Sequence, residues 1–202
     1  MNKLILETQI SIDGYIADEN GGTGWMVWNW GQDWNWDNDL QTYHTNLNKS
    51  VSSILISSHM AKEGFNAHWK QVTQDPADSR FEFANHIVNS RKFVISRTLT
   101  TETEIPGGWQ NVSILKENLE DAITNLKSQY NGNIIVYGGA TLVSALINSN
   151  LIDEYHFIIN PIALGQGLPV FKKITNLKMV NSIPFECGII INHYKKETEM
   201  LP

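Results

Sequence analysis

Apolar and polar residues alternate along several short stretches of the chain, a pattern typical of β-strands with one buried face. In residues 3–12 the alternation runs through Ile5, Ile10 and Ile12, and Asp13-Gly14 ends it. Similar or wholly apolar runs predict further strands at 51–57, 92–96, 111–114, 133–137 and 151–159, and an antiparallel hairpin at 177–186 and 188–194.

Apolar residues at helical spacing predict helices between these strands. The predicted helices lie at 38–49, 59–65, 119–130 and 140–147. Another is predicted to begin at Asp75-Pro76-Ala77-Asp78, because Asp75 can cap a helix and Pro76 suits its first position.

Strands that alternate with helices predict an α/β fold with a mostly parallel central sheet, and the terminal hairpin makes the sheet mixed. Neither an internal repeat nor a linker interrupts the sequence, so we predict a single domain over residues 1–202. The stretch from Gly21 to Asp37 is rich in glycine and tryptophan and has neither helical nor strand periodicity. It is predicted to be a long ordered loop.

Composition narrows the class of protein. Of the 202 residues, 42% are apolar and 18% charged, which suits a sizeable core. A net charge of −6 argues against a nucleic-acid-binding surface, and no apolar run approaches membrane-spanning length. We therefore expect a cytoplasmic protein that binds neither nucleic acid nor a membrane. Cys187 is the only cysteine and the six histidines show no metal-ligand spacing, so we predict no metal.

The strongest local signal for chemistry is Tyr137-Gly138-Gly139-Ala140-Thr141, where a strand runs through two glycines into a helix. Glycine lets a ligand approach the backbone, and the free N–H groups of a helix N-terminus attract a phosphate. The residues therefore suggest a phosphate or pyrophosphate site, with the Thr141 hydroxyl as a further donor. The alternative is an ordinary strand-to-helix turn that binds nothing.

Two other strand ends carry polar residues. Ser96-Arg97-Thr98 follows the strand at 92–96, and a guanidinium at this edge of a sheet can bind a phosphate monoester. Asp13 follows the first strand and could hold a substrate hydroxyl or amino group. The alternatives are a surface arginine and an aspartate that bonds to its own turn.

These segments, in this order, resemble the dihydrofolate-reductase-like superfamily, and within it the C-terminal reductase domain of bacterial riboflavin synthesis. The family's motifs are an opening Ser-x-Asp-Gly, a Val-x-Ser-Arg strand end, Gly-Gly-Ala/Ser-x-Leu, Gly-Leu-x-Asp-Glu and Pro-x-x-Leu-Gly-x-Gly-x-x-x-Phe. Here they begin at Ser11, Val94, Gly138, Leu151 and Pro161. Asn150 stands where the fourth motif has glycine, so that match starts at its leucine.

The resemblance implies a three-layer fold with helices on both faces of a central mixed sheet, and NADPH across the carboxyl ends of its strands. It assigns NADPH to a set of residues comprising Ser58, Ser96, Arg97, Thr98, Gly138, Gly139, Ala140 and Thr141. It assigns the substrate to Asp13, Trp25 and Gly165, with Asp13 also catalytic.

One segment departs from the family pattern. Members carry Gly-Arg-x-Thr after the second long strand, whose arginine and threonine help bind phosphates. Here the matching residues are Ser57, Ser58, His59 and Met60, so a cationic contact is lost although Ser58 and His59 can still donate hydrogen bonds. The change bears on how strongly the protein binds NADPH and whether it prefers NADPH to NADH.

Seven tryptophans are the other unusual feature, five of them between residues 25 and 36. They could form a wall for a flat heterocycle, or they could pack the long loop onto the domain. Trp25 is the best candidate for ligand contact because it follows Gly21-Gly22-Thr23-Gly24, while Asp33, Asp37 and Asp39 are expected to be solvated.

Two functions follow as hypotheses. The first is an NADPH-dependent reductase of a small pyrimidine or pterin-like substrate. The second is a non-catalytic or weakly catalytic nucleotide-binding module that kept the fold and changed the pocket. In either case we expect a homodimer, formed through the terminal hairpin and the apolar stretch Leu151–Pro161.

Overall fold

A computed structural model describes residues 2–28, 34–101, 104–107 and 110–197 of the chain. The strands are β1 (Leu4–Ser11), β2 (Tyr15–Ala17), β3 (Ser53–Ser57), β4 (Arg91–Ile95), β5 (Val112–Leu115), β6 (Ile134–Val136), β7 (Glu154–Asn160), β8 (Leu168–Pro169), β9 (Leu177–Pro184) and β10 (Ile190–Lys196). The helices are α1 (Asn38–Lys49), α2 (Ser58–Lys62), α3 (Phe65–Val72), α4 (Phe81–Asn89), α5 (Leu119–Gln129) and α6 (Ala140–Asn148).

Eight strands form the central sheet in the order β5-β4-β3-β6-β1-β7-β10-β9. The first six are parallel, whereas β10 is antiparallel to both β7 and β9. This arrangement confirms the predicted mixed, mostly parallel sheet and its C-terminal hairpin. A separate pair, β2 with β8, is antiparallel and was not predicted.

Two apolar clusters cover the two faces of the sheet, which confirms the three-layer fold. On one face, Ile54 and Ile135 pack with residues of α1, α3 and α4, among them Leu40, Trp69 and Phe83. On the other face, Leu55 and Val136 pack with residues of α5 and α6, which are Ile123, Leu126, Leu142, Val143, Leu146 and Ile147.

Alternation along β1 decides which side chains reach each layer. Leu4 and Leu6 join the cluster beneath α5 and α6, while Ile5 joins the cluster beneath α1. Glu7 follows the same alternation as Ile5. Its carboxylate is therefore directed at α1 in the protein interior, where the residue is only 2% exposed.

The predicted helix start at Asp75 is wrong, because α4 begins at Phe81. Residues 75–78 form a turn in which the Asp78 N–H donates to the Asp75 carbonyl oxygen over 3.1 Å. The Asp78 carboxylate then accepts hydrogen bonds from the backbone N–H and the guanidinium of Arg80. These bonds use the acidic groups to hold a turn instead of capping a helix.

The stretch Leu151–Pro161, expected to lie at a dimer interface, mostly forms β7. This strand is internal, paired with β1 on one side and β10 on the other, so it has no free edge. The edge strand on this side of the sheet is β9, on which Met179 and Val180 are exposed. The homodimer itself stays a prediction. Among the described residues, no helix is long and apolar enough to span a membrane.

Candidate functional site

A cleft of about 980 Å³ opens at the carboxyl ends of β3, β4 and β6. Ligand sites of open α/β sheets occupy this edge. The cleft volume lies at the upper end of the range for ligand pockets, which leaves room for an extended ligand. Of the predicted cofactor residues, it is lined by Ser58, Arg97, Gly138, Gly139, Ala140 and Thr141.

The turn between β6 and α6 has two glycines with different requirements. Gly139 has a φ of +85°, and a Cβ there would lie 2.5 Å from the Ser57 hydroxyl oxygen, so its glycine is needed by the fold. A Cβ on Gly138 would meet no atom within 4 Å. Because Gly138 lines the cleft, the space beside it is available to a ligand.

The N-terminus of α6 has no side-chain cap. By contrast, Asp37 caps α1 and Asn118 caps α5, each with a side-chain oxygen that accepts a backbone N–H. An uncapped N-terminus leaves backbone N–H groups and the positive end of the helix dipole directed outward. In this protein they face the cleft at Ala140 and Thr141, which suits a phosphate group.

Ser57 explains part of the departure from the family pattern. Its hydroxyl oxygen accepts the Met60 N–H over 3.1 Å and so caps α2, and its side chain packs beside Gly139. Met60 is buried in the core. All four residues of the segment line the cleft, and Ser58 and His59 can donate hydrogen bonds there but provide no permanent positive charge.

Arg97 lies on the rim of the cleft, exposed and without an ion pair among the described residues. The buried Ser96 hydroxyl accepts the N–H groups of Thr98 and Leu99 and so shapes the turn that carries Arg97. Ser96 thus supports the turn, and neither Ser96 nor Thr98 lines the cleft. Glu117 lines the same cleft as Arg97, so the lining carries both charges.

The sequence analysis missed a buried polar cluster in the cleft. His44 Nδ1 lies 2.8 Å from Glu7 Oε1, and Asn48 Nδ2 donates to Glu7 Oε2 over 3.1 Å. The Tyr137 hydroxyl donates to Asn48 Oδ1. Burial and the negative charge of Glu7 hold the pKa of Tyr137 well above its usual value, so this hydroxyl remains a donor.

Two sequence signals could have found this cluster. Glu7 is a charged residue that directly follows the apolar run Leu4–Leu6 within the first predicted strand, and a buried carboxylate requires partners. His44 and Asn48 are four residues apart and so share one face of α1 with Leu40. Their pairing with β1 needs the tertiary fold and could not be read from either segment alone.

Aromatic side chains form one wall of the cleft. Trp28, Trp36 and Trp69 are buried and line it, with the rings of Trp28 and Trp36 4.9 Å apart at their centroids. Trp25 is half-buried, donates from Nε1 to the Gly22 carbonyl and does not line the cleft. The predictions for Trp30, Asp33 and Trp109 concern residues outside the described ranges.

Asp13 and Gly165 lie outside the cleft lining and bind each other. The Asp13 carboxylate accepts hydrogen bonds from the Ser11 hydroxyl (2.6 Å) and from the N–H groups of Leu164 (3.1 Å) and Gly165 (2.7 Å). These bonds, with that of Ser11 the largest, lower the pKa of Asp13. Its carboxylate thus joins the end of β1 to the loop at 164–165, and the predicted role of Asp13 and Gly165 toward substrate stays a prediction.

A row of polar side chains extends from this cluster across the sheet. His156 on β7 is the register partner of Glu7 on β1, and His193 on β10 is the partner of His156. Tyr43 Oη lies 2.6 Å from His156 Nδ1. Burial lowers the pKa of His156 to about 4, so its ring is neutral at pH 7.

One group of described residues could hold a metal. It consists of Glu154, His156 and His193, and it lies outside the cleft lining.

Comparison with other proteins identifies relatives in bacteria. Two proteins of Bacillus subtilis, both described as uncharacterized, are similar to the chain. YyaP is 29% identical over 194 residues, which is 93% of this chain and 92% of YyaP. YwjB is 27% identical over 176 residues, which is 86% of this chain and 85% of YwjB.

Solved structures with similar folds share less sequence. A pyrimidine reductase-like protein from Corynebacterium diphtheriae has a TM-score of 0.61 at 15% identity, over 98% of this chain and 93% of that one. A deaminase/5-amino-6-(5-phosphoribosylamino)uracil reductase from Thermotoga maritima has a TM-score of 0.62 at 15% identity, over 97% and 57%. Dihydrofolate reductase from Enterococcus faecalis, complexed with NADP(H), has a TM-score of 0.57 at 15% identity, over 97% of both chains.

The family match covers nearly the whole sequence. Residues 2–191 match the family described as the RibD C-terminal domain, and this range runs from the start of β1 into β10. It includes the Gly138-Gly139 turn, Arg97 and the Glu7 cluster. The chain belongs to the RibD C-terminal domain family.

Proposed function

We propose that the protein is an NADPH-dependent reductase of a small heterocyclic substrate of the pyrimidine or pterin kind. The observation that carries this proposal is a single cleft that contains both an uncapped helix N-terminus, at Ala140, and a buried carboxylate, that of Glu7. The first suits the phosphates of a dinucleotide, and the second suits an acid-base step on a bound heterocycle.

The residues at the α6 end fit the cofactor. Open space beside Gly138 allows the pyrophosphate to approach the backbone, and the N–H groups of Ala140 and Thr141 are available to bind it. Arg97 can bind the 2′-phosphate that distinguishes NADPH from NADH. NADPH, when bound, supplies a hydride to an electrophilic carbon of the substrate.

The Glu7 end fits the accompanying proton transfer. A carbon that accepts a hydride leaves its neighbouring nitrogen or oxygen in need of a proton. The carboxylate of Glu7 and the imidazole of His44 are in hydrogen-bond contact and together can hold one proton beside the cleft. The aromatic wall of Trp28 and Trp36 offers apolar surface to a flat ring at this end.

The relatives support the same class of reaction. The names of the Thermotoga and Enterococcus proteins state reductase activities, one on a ribosylaminouracil and one on dihydrofolate. Both substrates contain a flat heterocycle, which suits the apolar surface of Trp28 and Trp36 in the cleft lining. From the family match we infer a reductase reaction for this chain, and we propose that its substrate is a heterocycle of the same kind.

The alternative is a nucleotide-binding module without turnover. It is favoured by the segment Ser57–Met60, where the arginine of the family pattern is absent and Ser57 is used to cap α2. Oxidation of NADPH in the presence of dihydropterins or ribosylaminopyrimidines separates the two functions. A reductase consumes NADPH with one of these substrates, whereas a binding module binds NADPH and consumes none.

Substitution of Gly138 by valine tests the cofactor site. The new side chain would enter the open space beside the turn, so NADPH should bind about tenfold more weakly or worse, a loss of about 1.4 kcal/mol, without damage to the fold. Fluorescence titration measures the affinity and circular dichroism the fold. Gly24→Val is the matched control, because its Cβ also meets no atom within 4 Å and Gly24 does not line the cleft. Equal affinities in the two variants would exclude this site.

Substitution of Arg97 by alanine tests the choice between NADPH and NADH. A charge-assisted hydrogen bond contributes about 1.5–3 kcal/mol, so NADPH should bind roughly ten- to a hundredfold more weakly while NADH changes little. Arg91→Ala, on β4 and outside the cleft lining, is the control. Equal losses for both cofactors would assign Arg97 to the shared pyrophosphate. If neither cofactor bound more weakly, Arg97 would have no part in the site. Glu117 would then be the better candidate for contact with the ribose, because a carboxylate suits the unphosphorylated ribose of NADH.

Substitution of Glu7 by glutamine tests the acid-base role. Glutamine keeps the size of the side chain but cannot exchange the proton, so the turnover number should fall by about 10²- to 10⁴-fold. The affinity for NADPH, measured in parallel, should stay unchanged. Glu120→Gln on the exposed face of α5 is the control. A variant that retains full turnover would show that Glu7 has no part in the proton transfer.

A further inference from the structure

We propose that Glu154, His156 and His193 form a binding site for a divalent transition-metal ion of the zinc class, separate from the cleft. Each residue offers one ligand atom, and the three atoms lie within 4.8 Å of one another. Two imidazoles and one carboxylate are ligands that Zn²⁺ prefers, and they leave a fourth position for water.

The fold brings these side chains together from two strands. Glu154 and His156 are two residues apart on β7, so they share one face of the sheet. His193 on β10 is the register partner of His156, and the two rings stack with centroids 4.1 Å apart. His156 and His193 are 37 positions apart in sequence, so they form no local ligand motif, and the sequence predicted no metal.

The nitrogen atoms available for a metal make no hydrogen bond within the described part of the chain. His156 is 5% exposed, and its Nδ1 is in contact with the Tyr43 hydroxyl. Its Nε2 is buried without a hydrogen-bond partner among the described residues, and so is the Nε2 of His193. Buried polar atoms without partners are uncommon in folded proteins, and a pair of them beside a carboxylate indicates a missing ligand.

The Tyr43 contact also suits a metal site. Metal-binding histidines usually donate their second ring N–H to a neighbouring oxygen, which fixes the tautomer and orients the ring. His156 can donate from Nδ1 to the Tyr43 hydroxyl oxygen over 2.6 Å and present the lone pair of Nε2. Tyr43 belongs to α1, so a bound ion would connect this helix to the β7–β10 pair.

One carboxylate oxygen of Glu154 is contacted by lysines and the other faces His193. Its Oε1 is contacted by Lys3 Nζ at 2.8 Å and by Lys195 Nζ at 3.7 Å, both from half-exposed side chains. Its Oε2 lies 3.5 Å from His193 Nε2, without a hydrogen bond. Zinc bonds of about 2.0–2.1 Å in a tetrahedron place ligand atoms roughly 3.3 Å apart, so rotation of the three side chains would close the site.

The test uses the full chain, freed of metal by dialysis against a chelator and titrated with ZnSO₄ by calorimetry. The wild-type protein should bind one equivalent of Zn²⁺, with a rise in the melting temperature, and excess Mg²⁺ should not compete because it prefers oxygen ligands. His193→Gln should lose this equivalent. His86→Gln on α4 is the matched control and should retain it.

A second variant and a second readout keep the outcome clear. If His193→Gln does not fold, Glu154→Gln removes a different ligand and should also lose the equivalent. Co²⁺ bound to the wild-type protein should give visible absorption bands that are absent from the folded variant. The proposal is overturned if the wild-type protein binds no Zn²⁺ at micromolar concentrations, or if the ligand variants bind it as the wild type does.

Discussion

The buried carboxylate of Glu7 is the constraint on which the candidate site depends. A charge in the middle of a sheet costs several kcal/mol unless it is paired and hydrogen-bonded. His44 and Asn48 provide that pairing, so α1 must pack over β1 in one orientation. The same orientation puts His44 in the cleft lining and Tyr43 against His156. One electrostatic requirement thereby links the placement of a helix, the floor of the cleft and the polar row across the sheet.

The cleft combines this carboxylate with a backbone feature of opposite character. At Gly139 the positive φ and the contact with Ser57 fix the turn, while the open space at Gly138 and the uncapped α6 leave backbone N–H groups for a ligand. Adjacent glycines thus have separate uses, one for the fold and one for approach. The segment Ser57–Met60 leaves this turn intact but lacks the arginine of the family pattern, so in the proposed cofactor site more of the phosphate binding rests on α6 and Arg97.

Much of the fold could be predicted from the sequence because it depends on local periodicity. The bounds of α1 were predicted at 38–49 and observed at Asn38–Lys49, and the hairpin and the β6–α6 turn were also confirmed. A prediction failed where polar groups had another local use: the acidic residues at 75–78 form a turn and do not begin a helix. Glu7 with His44, and His156 with His193, were missed because residues far apart in sequence meet only when the strands pair.

The central claim is that one cleft holds the phosphates of NADPH at α6 and its nicotinamide beside Glu7. A crystal structure of the protein grown with NADP⁺ tests it most directly. We expect pyrophosphate oxygens within hydrogen-bond distance of the Ala140 and Thr141 N–H groups, and the nicotinamide ring in the part of the cleft lined by Glu7 and Thr8. A dinucleotide bound elsewhere, or one whose nicotinamide points away from Glu7, would contradict it.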